Sequence, residues 1–163
     1  MCSATHSVLL IILVFRGTNG DSVNQTEGPV TVSEGALMTL NCTYQTAVFS
    51  PYLFWYIQHL NKAPRLLLKG SMSDPKPKTE GFQATLVQSD RSFHLQKWAA
   101  QASDLAVYYC ALSAYNAGNV FTFGGGTRLM VKPQIKDPNP TVYQLRSPES
   151  SNTSVCLLTD FDS

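Results

Sequence analysis

Short alternations of apolar and polar residues, separated by turn-forming residues, run through most of the chain. In GALMTLNCTY, Met38, Leu40 and Cys42 fall on one face and Thr39, Asn41 and Thr43 on the other, the period-two pattern of a strand with one side in a core. In LFWYIQ, residues 53–58, Trp55 and Ile57 share a face while Phe54, Tyr56 and Gln58 share the opposite one. Both faces carry aromatic or amphipathic groups, so neither is expected to stand in open water. SDLAVYYC, residues 103–110, places Ala106, Tyr108 and Cys110 together behind an aspartate, as in a strand entered from a tight corner. Further strands are predicted over 65–69, 82–87, 92–97, 107–112 and 127–131. No segment sustains a helical period, and short strands at this spacing predict an all-β sandwich or barrel.

Length sets the scale of that core. With 163 residues, 44% hydrophobic and only 14% charged, the chain holds one domain of ordinary size and a remainder too short for a second. The apolar run at 8–15 is too short to span a bilayer and suits the core of a signal peptide, with Thr18 and Gly20 at the small cleavage positions, so 1–20 is read as a signal peptide. Secretion places the remaining cysteines, Cys42, Cys110 and Cys156, in an oxidising compartment, where disulfides are expected before metal ligation. The sequons at Asn24, Asn41 and Asn152 agree with that route and are glycosylation candidates; the alternation turns Asn41 outward.

Charge and chemistry then narrow the function class. Of 12 basic and 11 acidic residues, Arg16 leaves with the signal, which makes the mature balance zero and offers no basic stripe for nucleic acid. His59 and His94 lie on different strands, and no zinc-type cysteine pair, metalloprotease helix motif or nucleophile elbow is present. FGGGT at 123–127 is followed by no helix pattern and no Lys-Ser/Thr pair, so a phosphate-cradling loop is set aside. No catalytic residue, metal site or cofactor is expected. The work of the chain is binding.

The residues also carry a resemblance. Cys42, Trp55 and the set Asp104, Ala106, Tyr108, Tyr109, Cys110 resemble the pin of an immunoglobulin variable domain, in which a disulfide joins two sheets and a tryptophan packs on it. The resemblance implies a variable-type β-sandwich with Greek-key topology, a Cys42–Cys110 disulfide, a core Trp55, and a corner tyrosine at Tyr108 whose hydroxyl returns to the backbone. FGGGT followed by TRLMVKP resembles a joining segment ending in the last strand, its glycines suited to a bulge. After Pro133, VYQLR and LLTDFDS are similar to the opening of the T-cell receptor α constant domain. The implied domains are a signal peptide at 1–20, a V-J variable domain at 21–133 and an incomplete constant-type domain at 134–163.

By that resemblance the chain is an antigen-recognition subunit that pairs with a β chain, reads a peptide on a major histocompatibility molecule and, in the full-length receptor at the plasma membrane, joins CD3 signalling subunits. A transmembrane segment is not found in this stretch of sequence. The three hypervariable loops fall at 46–52, 70–77 and 111–122, with Phe49, Tyr52, Met72, Tyr115, Asn116, Gly118 and Asn119 as antigen-contact candidates. The pairing face is expected at Tyr56, Gln58, Pro64, Leu66, Tyr109 and Phe123. An antibody light chain and an adhesion module with one fixed partner are the alternatives. Three departures from the family pattern bear on structure. Gly81 stands where an arginine often pairs with Asp104, Leu60-Asn61 replaces a Pro-Gly turn with Asn61 suited to positive φ, and Trp98 is expected to pack beneath the edge of the sandwich.

Overall fold

A computed structural model describes residues 20–113, 120–134, 141–146 and 154–159; the expected signal peptide therefore lies outside the described residues, as do the middle of the third loop and Asn152. The strands are β1 (Ser22–Gln25), β2 (Pro29–Ser33), β3 (Met38–Leu40), β4 (Cys42–Gln45), β5 (Tyr52–Gln58), β6 (Arg65–Gly70), β7 (Lys78–Thr79), β8 (Phe82–Val87), β9 (Ser92–Lys97), β10 (Ala106–Ser113), β11 (Phe121–Phe123), β12 (Thr127–Lys132), β13 (Thr141–Arg146) and β14 (Ser154–Thr159). One compact unit ends at Lys132; a second, beginning at Pro133, contains the antiparallel pair β13 and β14.

The first unit is a two-sheet sandwich. One sheet runs β1-β4-β9-β8-β7 with β3 also on β9; the other runs β2-β12-β10-β5-β6 with β11 also on β10. All described pairings are antiparallel except β2 with β12. The alternation does what period two requires: Met38, Leu40, Cys42 and Tyr44 are buried while Asn41 and Thr43 are exposed. Cys42 and Cys110 are disulfide-bonded across the core, with Cα atoms 6.3 Å apart, and Cys110 lies opposite Trp55 in the β10–β5 register. Trp55 is wholly buried and its indole nitrogen donates to the Phe93 carbonyl at 2.9 Å, so its one polar atom is satisfied inside the core.

The corner before β10 is built from polar groups that the core would otherwise reject. Tyr108 donates its hydroxyl to the Asp104 carbonyl at 2.8 Å, four residues upstream. Burial, reinforced by the nearby Asp104 charge, pushes that hydroxyl above the usual phenol range. Asp104 caps the turn at Ala102–Asp104 by accepting from the Gln101 amide at 2.8 Å, and its other oxygen lies 2.5 Å from the Lys97 ammonium. With Gly81 in the arginine's place, Lys97 supplies the cation from β9 instead. Its stem passes Gly81, where an added Cβ would lie 3.5 Å from Lys97 Cε, and its ammonium sits 4.7 Å from the Phe82 ring centre.

Two further departures follow from strand geometry. Trp98 is 72% exposed and does not pack beneath the sandwich: Lys97 points inward to Asp104, so the next side chain must point out. In β6, Trp55 pairs with Leu68 but Tyr56 with Leu66, a one-residue shift that leaves Leu67 bulged. The bulge turns both Leu67 and Leu68 inward, which strict alternation forbids, and leaves Leu66 outside. Asn61 takes a φ of 57°, the left-handed turn residue the sequence suited it for.

Candidate functional site

Two surfaces are assembled from the expected residues. The first is the outer face of the β2-β12-β10-β5-β6 sheet. Register places Tyr109 opposite Tyr56 and Leu66 opposite Tyr56 on its other side, while Phe123 pairs with Ala111. Tyr56, Gln58, Pro64, Tyr109 and Phe123, together with Phe121 and Gly124, line a shallow groove of about 450 Å³, and Leu66 stands at its margin, outside the groove. Tyr109 donates its hydroxyl to the Gln58 side-chain oxygen at 3.3 Å, and the Gln58 amide nitrogen donates to the Lys62 carbonyl at 3.2 Å. Leu66, Phe121 and Phe123 are 48%, 41% and 52% exposed, a concentration of apolar surface at one place.

Phe121 and Phe54 belong to this face and were missed as site residues. The signal was available: Phe121 is two residues before Phe123 and Phe54 two before Tyr56, so each shares its neighbour's face. The rings form one tilted stack, with centroids 5.1 Å apart for Phe54–Phe121, 6.2 Å for Phe121–Phe123, 5.6 Å for Tyr56–Phe123 and 6.3 Å for Phe54–Tyr56. Such offset and tilted arrangements are the favoured geometry for aromatic pairs.

The joining-like glycines shape the edge of this face. Gly124 offers no Cβ where the Gln25 side chain crosses from β1, and an added Cβ would collide with it. That glutamine accepts from the Cys110 and Gly126 amides at 3.0 and 3.1 Å and donates to the Tyr108 carbonyl at 3.0 Å, tying one sheet to the other. Gly126 has a φ of 84°, and a side chain there would meet the Tyr109 ring at 2.6 Å.

The second surface is one end of the sandwich. Tyr52 pairs with Ser113 and Leu53 with Gly70, and Ser113 also pairs with Phe121, so the connections β4–β5, β6–β7 and β10–β11 all leave from the same end. Phe49 is 81% exposed, held by its carbonyl accepting from Gln88. Met72 stands exposed on a turn closed by reciprocal Ser71 and Asp74 backbone bonds. Tyr52 is half-buried, with the Lys69 ammonium 4.2 Å from its ring centre. Tyr115, Asn116, Gly118 and Asn119 lie outside the described residues. On the other sheet Asn24 and Asn41 are exposed, and Asn24 pairs with Thr43, which completes the Asn41 sequon. Among the described residues, no three His, Cys, Asp or Glu side chains converge as a metal cluster would need.

Known proteins resemble this chain over most of its length. The immunoglobulin V-set domain family matches residues 25–132, and a domain of unknown function matches residues 140–163. The chain is 60% identical over 129 residues to the mouse T-cell receptor alpha chain V region CTL-F3, covering 79% of this chain and 96% of that one. It is 59% identical over 112 residues to human T cell receptor alpha variable 18, covering 69% of this chain and 99% of the relative. Human T cell receptor alpha chain MC.7.G5 is 40% identical over 164 residues, 99% of this chain and 59% of its own length.

Proposed function

The chain belongs to the T-cell receptor α family, with an immunoglobulin V-set domain over most of its length, and from that membership we propose how its surfaces are used. It is an antigen-recognition α subunit, and it pairs with a β chain as a receptor. The β chain seats on the outer face of the β2-β12-β10-β5-β6 sheet and contacts Tyr56, Gln58, Pro64, Leu66, Tyr109 and Phe123, with Phe121 beside them. The observation that carries this is the cluster of exposed Leu66, Phe121 and Phe123 around one groove, apolar surface that association removes from water. Gln58, having given one amide hydrogen to Lys62, keeps a second for an acceptor across the interface.

The loop end reads the antigen, a peptide held by a major histocompatibility molecule, through Phe49, Tyr52 and Met72 with Tyr115, Asn116, Gly118 and Asn119 of the third loop. Its work is binding rather than catalysis. The variable domain occupies 21–133 after a signal peptide at 1–20, and 134–163 opens the constant domain. In the full-length receptor the chain assembles with CD3 signalling subunits at the cell surface. Among the described residues no helix is long and apolar enough to cross a membrane. Asn24 and Asn41 carry glycans on the sheet away from the pairing face, and Asn152 carries one in the second unit.

Phe123→Asp in the full chain tests the pairing face. Co-expressed with a T-cell receptor β chain and separated by size, the variant is expected to yield no heterodimer, while its own thermal melt stays close to that of the parent. Undiminished assembly would show that the β chain sits elsewhere.

A further inference from the structure

Between the two surfaces lies one side chain that touches both. Lys69, on β6 beside Phe54 in the strand register, holds its ammonium 4.2 Å from the Tyr52 ring centre and 5.8 Å from that of Phe54. Phe54 is buried and packs on Phe121 at 5.1 Å, and Phe121 packs on Phe123 at 6.2 Å. A continuous series of contacts therefore runs from the first loop through Lys69 to the pairing groove. Tyr52 lies at the junction of that loop with β5 and pairs in the backbone with Ser113, the last residue of β10, where the third loop leaves the sheet.

We propose that Lys69 is a positioning residue for antigen binding, through which chain pairing sets the orientation of Tyr52 and hence the shape of the loop end. This rests on the pairing and antigen-reading roles proposed above. Phe121 and Phe123 are open to water on one side in the single chain, and a partner packed on them restrains their rings. Restraint at Phe121 narrows the positions open to Phe54, which forms one flank of the Lys69 site. The Lys69 ammonium, held over the Tyr52 ring and beside Phe54, passes that restraint to Tyr52. Tyr52 is thereby ordered before antigen arrives, so less freedom is lost on binding. Lys69 is suited to the task because it combines a fixed charge with a stem long enough to reach two rings from a strand position. A partner can shift Tyr52 only if it favours one arrangement over another, and the exposed Phe121 is where that difference arises.

Fluorine NMR of the full chain carrying 3-fluorotyrosine tests this without knowledge of the antigen. The Tyr52 resonance is assigned by its loss in Tyr52→Phe, and a T-cell receptor β chain is added to saturation. The expected result is a shifted and sharpened Tyr52 resonance on pairing. In Lys69→Met, which keeps the stem and loses the charge, the pairing-induced shift should fall by at least half while the affinity for the β chain stays within about twofold, and Lys69→Arg should restore it. Phe121→Ala should blunt the response in the same way when saturated with partner. A Tyr52 resonance that is unmoved by pairing, or that responds equally in Lys69→Met, overturns the relay. Absence of any heterodimer overturns the pairing role, and the relay with it, whereas assembly without a Tyr52 response overturns the relay alone.

Discussion

At the residue scale, Tyr108 and Lys97 show how a corner is made stable by polar groups in an apolar place. The Tyr108 hydroxyl satisfies the Asp104 carbonyl, and Tyr108→Phe leaves that buried acceptor without its partner. The expected loss is about 1–2 kcal/mol in urea unfolding. A pH dependence accompanies it. Burial and the Asp104 charge raise the Tyr108 hydroxyl above its ordinary value, so the folded state favours the protonated form. That stabilisation is complete below about pH 10, the ordinary phenol value, and declines as the pH climbs above it. Melting temperatures recorded through the alkaline range should therefore fall more steeply for the parent than for Tyr108→Phe; parallel curves would contradict this. Lys97 and Asp104 form a buried pair that holds together because each has further contacts: Asp104 accepts the Gln101 amide and Lys97 lies over Phe82. By contrast Arg65 and Glu80 pair in water at 2.6 Å, and although Arg65 lowers the Glu80 carboxyl, an exposed pair adds little to stability.

At the element scale, β1 is a short edge strand, and Gln25 at its end joins it to the opposite sheet. The side chain takes amide hydrogens from Cys110 and Gly126 and donates to the Tyr108 carbonyl, three bonds that bind β1 to β10 and to the joining-like turn. Gln25→Ala removes all three and opens space beside Gly124. A loss of about 2–4 kcal/mol is expected, since each bond is worth roughly 0.5–1.5 kcal/mol net and the abandoned amides are part-buried. Amide hydrogen exchange should quicken in β1 and around Gly126 before it does in β5, where the same variant is expected to leave protection unchanged. Equal protection of β1 in both proteins would mean that strand pairing with β4 alone holds it. The bulge in β6 has a different effect: by burying Leu67 and Leu68 together it leaves Leu66 on the pairing face.

At the scale of the molecule, the Cys42–Cys110 bond closes a loop of 68 residues and joins the two sheets near Trp55. Closing a loop of this length stabilises the folded state by roughly 4 kcal/mol in the chain-entropy treatment. A domain's whole net stability is about 5–15 kcal/mol. The Cys42→Ala/Cys110→Ala variant is thus expected to lose a large share of its stability, seen as a lowered and broadened thermal melt. A melt that matched the parent would mean the core alone carries the sandwich. The same architecture separates the surfaces: one sheet turns Asn24 and Asn41 to solvent, the other presents the aromatic groove, and the loop end lies across both.

The strands, their inward faces outside the β6 bulge and the corner were legible because they depend on local geometry: a period of two assigns a face to each residue of a regular strand wherever that strand later packs. For that reason Met38, Leu40, Cys42, Trp55 and Tyr108 are all buried, and Tyr56, Gln58, Tyr109 and Phe123 share the other side of their sheet. The same rule applied to Lys97 would have turned Trp98 outward, and applied to Phe123 would have added Phe121. The remainder depended on which strands lie side by side. Lys97 replaces the missing arginine because β9 and β8 are paired so that Phe82 faces Lys97 directly, a register set over the whole sheet. Gln25 reaches the Cys110 amide from 85 residues away, and Lys69 meets Tyr52 only because β5 and β6 pair with their bulge in place. Local pattern determined the faces of this protein, whereas contacts between distant residues were decided by packing, since a partner far along the chain leaves no trace in the period of either strand.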